Sequence, residues 1–598
     1  MDTMLELGRE HRLDSRPTGG RSGVLSAWVL AIPLACTLVT ATQAQIRTDG
    51  TLGGPAVALV GPNFLINEAL GRLAGSNLFH SFQVFDVGSA ESATFVTTTP
   101  ALANVISRVT GGTASQINGL VKLDAANAAP NFFFINPAGV VFGNGAKIDV
   151  PAGFHVSTAN YLKFPDGNFY ADPKAVSTLS SAAPEAFGFL GTTRAAITVK
   201  DGAALQTPSA GTDQPISIVA GDVEIDGGGV TTAGGDIRVT AVGPSPQEVA
   251  LSGPLPDAHG NLDIRAGGYL LSAPGGATHA GDIVVAAGNV LIDGAGTELT
   301  GVASVAVEPA SGNAGNVTVN AAATLTIVNG AGILADTFSA GRGGAIKVTA
   351  GRMVISGSSA ISSSAREGST GDAGTVDVVV VGTLAIGDGG VIQSNTETSG
   401  GAGRVTVTAR DIGIDGGGTG HLTGITSRAT AGTGDAGRVD VTATRQLSIA
   451  NGGTIQSDTF SAGNAGTIKV VTGDLVIDGQ ASAGLTGISS SAGGGTGNGG
   501  AIEVAATGGI KLVRGAEILS NTISAGDAGA VNVTAGTLTI DGTGALPTGI
   551  FSTSTGAGSG DAGGIAVTTT GVLSVANRGF IAAGTASSGR GGAVKVTA

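Results

Sequence analysis

Short apolar pairs separated by one residue run through most of the chain: Val317-Thr318-Val319 is followed by Leu325-Thr326-Ile327, and Ile468-Lys469-Val470 by Leu475-Val476-Ile477. A period of two is that of a strand with one buried face. Between residues 45 and 598 no long stretch places apolar side chains at helical spacing, and each glycine inside a helix would cost about 1 kcal/mol relative to alanine. The mature chain is therefore predicted to be nearly all β.

The pattern repeats. A tetrad Gly-x-(Ala/Gly)-Gly begins at Gly312, Gly341, Gly371, Gly400, Gly434, Gly463, Gly497, Gly526, Gly560 and Gly589, and from Gly400 onward the intervals alternate between 34 and 29 residues. An alternating strand follows each tetrad, then a second apolar pair. Short units add a third strand ending in Thr337, Thr396, Thr459, Thr522 or Thr585. Three short strands per unit predict one coil of a right-handed parallel β-helix, an all-β solenoid in which coils stacked ~4.8 Å apart share one core. Corner glycines are expected to supply positive φ, and the threonines to stack as a ladder. About ten coils make a rod on the order of 50 Å. A β-propeller, with blades of roughly 40 to 50 residues, does not match the shorter unit.

Long units carry five extra residues after Asp415-Gly416, Asp478-Gly479 and Asp541-Gly542, each followed by Thr-Gly-Ile at Thr423, Thr486 and Thr548; a related insertion follows Asp293-Gly294. On alternate coils, these insertions should protrude in a row spaced ~10 Å apart, a candidate contact surface. Asp-Gly also suits a plain tight turn. The stretch Gly591 to Ala598 reads as the opening strand of a further unit with no cap, which predicts a truncated C-terminus.

At the other end, Arg9, Arg12, Arg16 and Arg21 precede an apolar run from Val24 to Thr40 and a small-residue site at Thr42-Gln43-Ala44. Residues 1–44 read as a signal peptide cleaved between Ala44 and Gln45. Pro33 interrupts the run, which is short for ~30 Å of hydrocarbon, and a lipid anchor on Cys36 is the lesser alternative. No transmembrane segment is predicted after cleavage. Fourteen of the 18 phenylalanines fall between Phe64 and Phe189, in strands that show no repeat. That shift places a boundary between residues 240 and 280, giving one domain at 45–260 and the repeats of 29 and 34 residues at 261–598.

Composition narrows the chemistry. The chain has 103 glycines but is 42% hydrophobic, and its apolar residues recur in register, which argues for a packed core rather than disorder. A net charge of -14 makes nucleic acid a poor partner. Cys36 is the single cysteine, so the cleaved chain has neither disulfide nor thiolate. The six histidines lack metal-ligand spacing, and Asp372, Asp435, Asp527 and Asp561 follow the coil period rather than a nine-residue calcium repeat. The run Gly493 to Gly497 lacks the lysine and helix of a phosphate loop. Asp415, Asp478 and Asp541 form a row, not a paired acid and base. No catalytic residue, cofactor or metal is predicted.

Six blocks in the first region resemble the filamentous haemagglutinin family: Gln45 to Leu52; Gly75-Ser76-Asn77-Leu78-Phe79-His80-Ser81-Phe82; Asn104 to Gly112; Phe134 to Gly143; Ser157-Thr158-Ala159; and Ala186 to Leu190. The resemblance covers roughly residues 45 to 250 and implies two-partner secretion: a β-helical N-terminal domain recognised by a cognate Omp85-type outer-membrane transporter. It implies a secreted or surface adhesin of a Gram-negative-type bacterium, reaching the outside through the periplasm, with a host or bacterial surface ligand that the sequence does not name. The stalk of a contact-dependent toxin or haemolysin, or a β-helix polysaccharide-active enzyme, are the alternatives. Family members usually show Asn-Pro-Asn-Gly or Asn-Pro-Asn-Leu, where this chain has Asn136-Pro137-Ala138-Gly139. That turn is a candidate for transporter recognition as well as for turn stabilisation.

Overall fold

The structure is a computed structural model and describes residues 46–598 except 192–194, 208–213, 275–278, 296–299, 309–311, 481, 483, 524, 556–559 and 587. The signal segment and the cleavage pair Ala44 and Gln45 lie outside the described residues. Gln45–Ala598 forms one unit. Its period-two stretches are parallel strands stacked coil on coil into a β-solenoid of about 17 turns. One 3-10 turn, Glu68–Leu70, is the only helical element among the described residues.

Each coil has three sides. Val405–Asp415 pairs with Val376–Gly387 before it and Val439–Ala450 after it, while Thr423–Thr426 pairs with Val391–Gln393 and Gly453–Gln456. The expectation of three separate strands is corrected between Ile283 and Asp478. There the first two sides are one bent strand of 10 to 12 residues, with a register shift at the bend, as between Ala409 and Asp411. A strand can turn that corner unbroken because both halves keep their hydrogen bonds to identical bends above and below. The column Val317, Ile346, Val376, Val405, Val439 and Ile468 is no more than 2% exposed. Each such side chain adds about 1.5–3 kcal/mol that no isolated strand could gain.

The tetrad glycines do not serve the purpose expected of them. Those of the repeat region, Gly463 and Gly466 for example, are absent from the positive-φ residues. Instead, a Cβ on Gly466 would overlap the carbonyl oxygen of Gly437 in the coil before, and one on Gly500 would overlap that of Gly466. Glycine is required because backbone passes directly over backbone. A buried serine column completes this corner: Ser394, Ser427 and Ser520 donate to the carbonyls of Gly374, Gly403 and Gly500 at 2.6, 2.6 and 2.9 Å, and accept from the N–H of Gly403, Gly437 and Gly529. The threonine ladder is also corrected. Thr337, Thr396, Thr459 and Thr522 alternate with Ala365, Ala429 and Ala492, because the intervening coils place alanine at the same register.

The first region is coiled as well, although its sequence shows no repeat: Leu78, Val105, Phe132 and Phe154 stack in successive turns. Two additions distinguish it. Ile46–Thr48 lies antiparallel on the strand Asn77–Phe85 and covers the edge of the first coil. A four-stranded antiparallel sheet, Tyr161–Phe164, Gly167–Tyr170, Ala186–Phe189 and Gln247–Ala250, packs on the outer face. Its core takes in Phe79, Ile106 and Phe133, which point away from the solenoid interior. These coils bury apolar side chains on both faces, which explains the phenylalanine enrichment. At the far end, Val594–Thr597 pairs with Ile565–Thr569, and Val594 and Val596 are exposed.

Candidate functional site

Gly75 and Ser76 form a hairpin loop between Arg72–Ala74 and Asn77–Phe85, with Ala74 opposite Asn77. Gly75 adopts φ +57, and a Cβ there would also press on Ser181 at the edge of the side module. Along the strand, Leu78, His80 and Phe82 point into the solenoid, while Phe79 and Ser81 point outward. Phe79 lies 4.9 Å from the Phe169 ring. His80 packs among Phe82 and Phe95, at 6.1 and 5.4 Å. Burial pushes its imidazole down to about 4, against the weaker opposing pull of the Leu70 backbone and the Glu68 charge. His155, stacked 4.4 Å from Phe133 with Nδ1 3.0 Å from Ser217 Oγ, is likewise held at about 4 by burial.

Asn77 begins a buried amide ladder. Its Nδ2 donates to the carbonyls of Ser180 and Ala182, at 2.8 and 2.6 Å, and its Oδ1 accepts from Asn104 Nδ2 at 2.8 Å; Asn104 Oδ1 accepts from Asn131 Nδ2 at 3.2 Å. The three residues recur at intervals of 27, a sequence signal hidden by the absence of any other repeat here. The ladder fastens the side module to three coils. Asn104→Ala strands the Asn77 acceptor and the Asn131 donor, so a stability loss of about 2 kcal/mol is expected in urea unfolding. Asn127→Ala, which removes one exposed bond to Thr98, is expected to change it by less than about 0.5 kcal/mol.

A second junction joins the N-terminal cover, the first coils and the side module. Arg108, 3% exposed, donates from Nε to Ser81 Oγ at 2.8 Å and from Nη2 to Thr51 Oγ1 at 2.8 Å. Its Nη1 donates to the Tyr170 carbonyl and to Ser177 Oγ, and its guanidinium sits 4.5 Å over the Phe169 ring. Asp49 accepts from Ser81 at 2.6 Å and Thr110 at 2.8 Å. Burial raises its pKa, but the bonds from Ser81, Thr51 and Thr110 outweigh that and hold it below the usual carboxylate range. Asp49 and Arg108 lie within the resembling blocks, yet nothing in their spacing announced that they share a network.

Asn136 to Gly139 turn the chain from the first side to the second. Asn136 is fully buried: Nδ2 donates to the Thr113 carbonyl and Ser115 Oγ, both at 3.0 Å, and Oδ1 accepts from the Ala138 N–H at 3.0 Å. Gly139 has φ +116, in the region that favours glycine. Pro137 and Ala138 are the half-buried positions of the turn. The missing Asn side chain of the family pattern falls at that partly exposed rim.

Asp415, Asp478 and Asp541 occupy one register column, separated by Ala450 and Val513. Each carboxylate closes its own turn by accepting from the N–H two residues on: Gly417 at 2.9 Å, Gln480 at 3.2 Å and Thr543 at 3.1 Å. Each also binds the next coil, through Asn451 at 3.0 Å, Arg514, and Asn577 at 2.9 Å. Gly416, Gly479 and Gly542 are buried beneath, where a Cβ would crowd the corner of the following coil. The Thr-Gly-Ile that ends each insertion is also structural. Thr423, Thr486 and Thr548 accept from the N–H of Gly389, Gly452 and Gly515 at 2.8, 2.9 and 2.7 Å. Exposed loop residues remain between these anchors, on alternate coils.

Among the described residues, no cluster of His, Cys, Asp and Glu could hold a metal ion, and no helix is long and apolar enough to cross a membrane. Residues 44–265 match the family model described as the TPS secretion domain. Among solved structures, the secretion domain of HMW1 from Haemophilus influenzae aligns at 14% identity over 87% of this chain and 96% of that one, with a TM-score of 0.25. No curated protein sequence matches the chain.

Proposed function

We propose that this chain, a filamentous-haemagglutinin-type two-partner secretion exoprotein by virtue of its TPS secretion domain and β-solenoid, is exported through an Omp85-type outer-membrane transporter and acts as a surface adhesin. The observation that carries the reading is the matched domain at residues 44–265, continuous with the repeats of one solenoid. Division into a signal peptide at 1–44, a secretion domain at 45–260 and a repeat rod at 261–598 belongs to the same proposal.

Physical features support it. The N-terminal cover shields the first strand edge, so coils stack in one direction, each templated by the coil before it. A chain crossing the outer membrane N-terminus first could fold progressively in this way without any other energy source. Hairpin 72–79 and the partly exposed rim at Pro137 and Ala138 are the surfaces offered to the transporter. The rod presents an acidic, loop-studded exterior suited to contact rather than turnover, since its aligned carboxylates Asp415, Asp478 and Asp541 are two coils apart and already bonded within turns.

The test is expression of the gene with and without the transporter gene of its locus. Surface or medium protein is expected to fall at least about tenfold without the transporter. Unchanged export would overturn the secretion mechanism, and exported protein that confers no attachment on a non-adherent strain would overturn the adhesin role.

A further inference from the structure

Between residues 346 and 450 each strand that runs from the first side to the second shifts register at its bend, as between Val380 and Thr383. A residue placed on the outside of such a corner has no position in the ladder and projects. On four successive coils the residues set there are Arg352, Val381, Arg410 and Arg445. With coils ~4.8 Å apart they form a ridge about 14 Å long, parallel to the solenoid axis. Val381 is 79% exposed, and Arg352, Arg410 and Arg445 are exposed as well.

The ridge is opposite in sign to the chain as a whole. Over these four coils the first side and its bend hold six cations, Lys347, Arg352, Arg404, Arg410, Arg438 and Arg445, against three carboxylates, in a chain of net charge -14. Two of the carboxylates are each shared by two arginines. Asp411 lies 3.1 Å from Arg410 and 2.6 Å from Arg445, and Asp440 lies 2.7 Å from Arg404 and 2.8 Å from Arg438. Sharing relieves the repulsion between arginines on adjoining coils, yet each trio keeps one positive charge and turns guanidinium edges to solvent. Apolar side chains break the same surface. Val379 and Val354, 37% and 39% exposed, flank Val381 on the two sides of the bend. A single exposed valine is ordinary; three together within two coils, set among cations, form a patch.

We propose that this ridge docks on the negatively charged headgroup surface of a lipid bilayer, with the solenoid axis lying in the plane of the membrane. A ridge meets a plane along its whole length, whereas it offers a small ligand no enclosure. The cations on its flanks are drawn to anionic headgroups within a Debye length. The valines at its crest gain by entering the interface, as the apolar face of a surface-bound helix does. That pairing decides between partners, because a soluble polyanion would satisfy the arginines and leave Val379 and Val381 in water. The inference goes beyond the adhesin reading and does not depend on it.

The test is co-sedimentation of the purified full chain with large vesicles of phosphatidylcholine alone and of equimolar phosphatidylcholine and phosphatidylglycerol. Binding to the anionic vesicles alone is expected, falling at least about tenfold between low and high salt. Arg352→Gln combined with Arg410→Gln is expected to weaken it about tenfold. Asp411 keeps Arg445 in that variant, so the unfolding midpoint is expected to stay in place. Val381→Ser, at an exposed position, is expected to weaken binding about threefold with the fold unchanged. Lys147→Gln combined with Lys174→Gln removes the same charge from exposed sites far along the sequence and is expected to leave binding within about twofold of the parent. No binding to anionic vesicles, equal binding to neutral ones, or equal losses in the two double variants would each overturn the proposal. Loss in the arginine variant with full binding in Val381→Ser would mark a general polyanion surface and overturn the assignment to a bilayer.

Discussion

Replacing Gly500 with alanine is expected to open the solenoid locally, lowering the opening free energy of the neighbouring coils by about 3 kcal/mol or more. The Cβ would overlap the carbonyl oxygen of Gly466 and press on Ser490 Oγ, whose own hydrogen bond to that carbonyl is 2.5 Å long. Neither atom can retreat. The carbonyl is fixed by its place in a stacked corner, and the serine is buried in the core. Coils contact only their immediate neighbours, so the damage should stay near residues 463–529. Gly413→Ala is the matched control. Gly413 lies within the strand Val405–Asp415, where nothing stands within 4 Å of an added Cβ, so a change within about 0.5 kcal/mol is expected. Amide hydrogen exchange resolves both, coil by coil. Equal protection in the two variants would show that backbone crowding does not dictate these glycines.

The second large effect is acid lability of the secretion module. His80 and His155 have folded-state pKa values near 4 against 6.5 in the unfolded chain, both lowered by burial. A lowered imidazole pKa means that the unfolded state binds more protons between those values, so stability rises with pH across the window. The contribution is complete above about pH 6.5 and is lost as the pH falls toward 4, by on the order of 3 kcal/mol for each histidine. Hydrogen exchange of strands 77–85 and 154–157 at pH 7, 5.5 and 4 is expected to show progressive loss of protection. His80→Gln should flatten the dependence in the first strand but not the second. A profile unchanged by His80→Gln would exclude His80 as its source.

Side chains in a strand alternate whether or not the strand has found its neighbour, and a repeat unit is written in the chain before it folds. For that reason the sequence alone determined the all-β solenoid, the coil length, the alternate-coil insertions and the blocks of the secretion domain. What it left open was set across coils. Asn77, Asn104 and Asn131 become a ladder only when 27-residue turns are stacked. Asp49 meets Arg108 through Ser81 and Thr51 only once the N-terminal strand folds back over the first coil. The tetrad glycines looked like turn formers, but the structure assigns them to backbone crossings, because φ is a property of one residue and crowding a property of two coils. The Asp-Gly insertions read equally as a contact row or as plain tight turns, and what the sequence could not show is that each carboxylate is bonded both to its own turn and to the next coil. Composition and period are local, so they could be read directly; hydrogen-bond partners depend on register between turns, which only the closed, stacked solenoid decides.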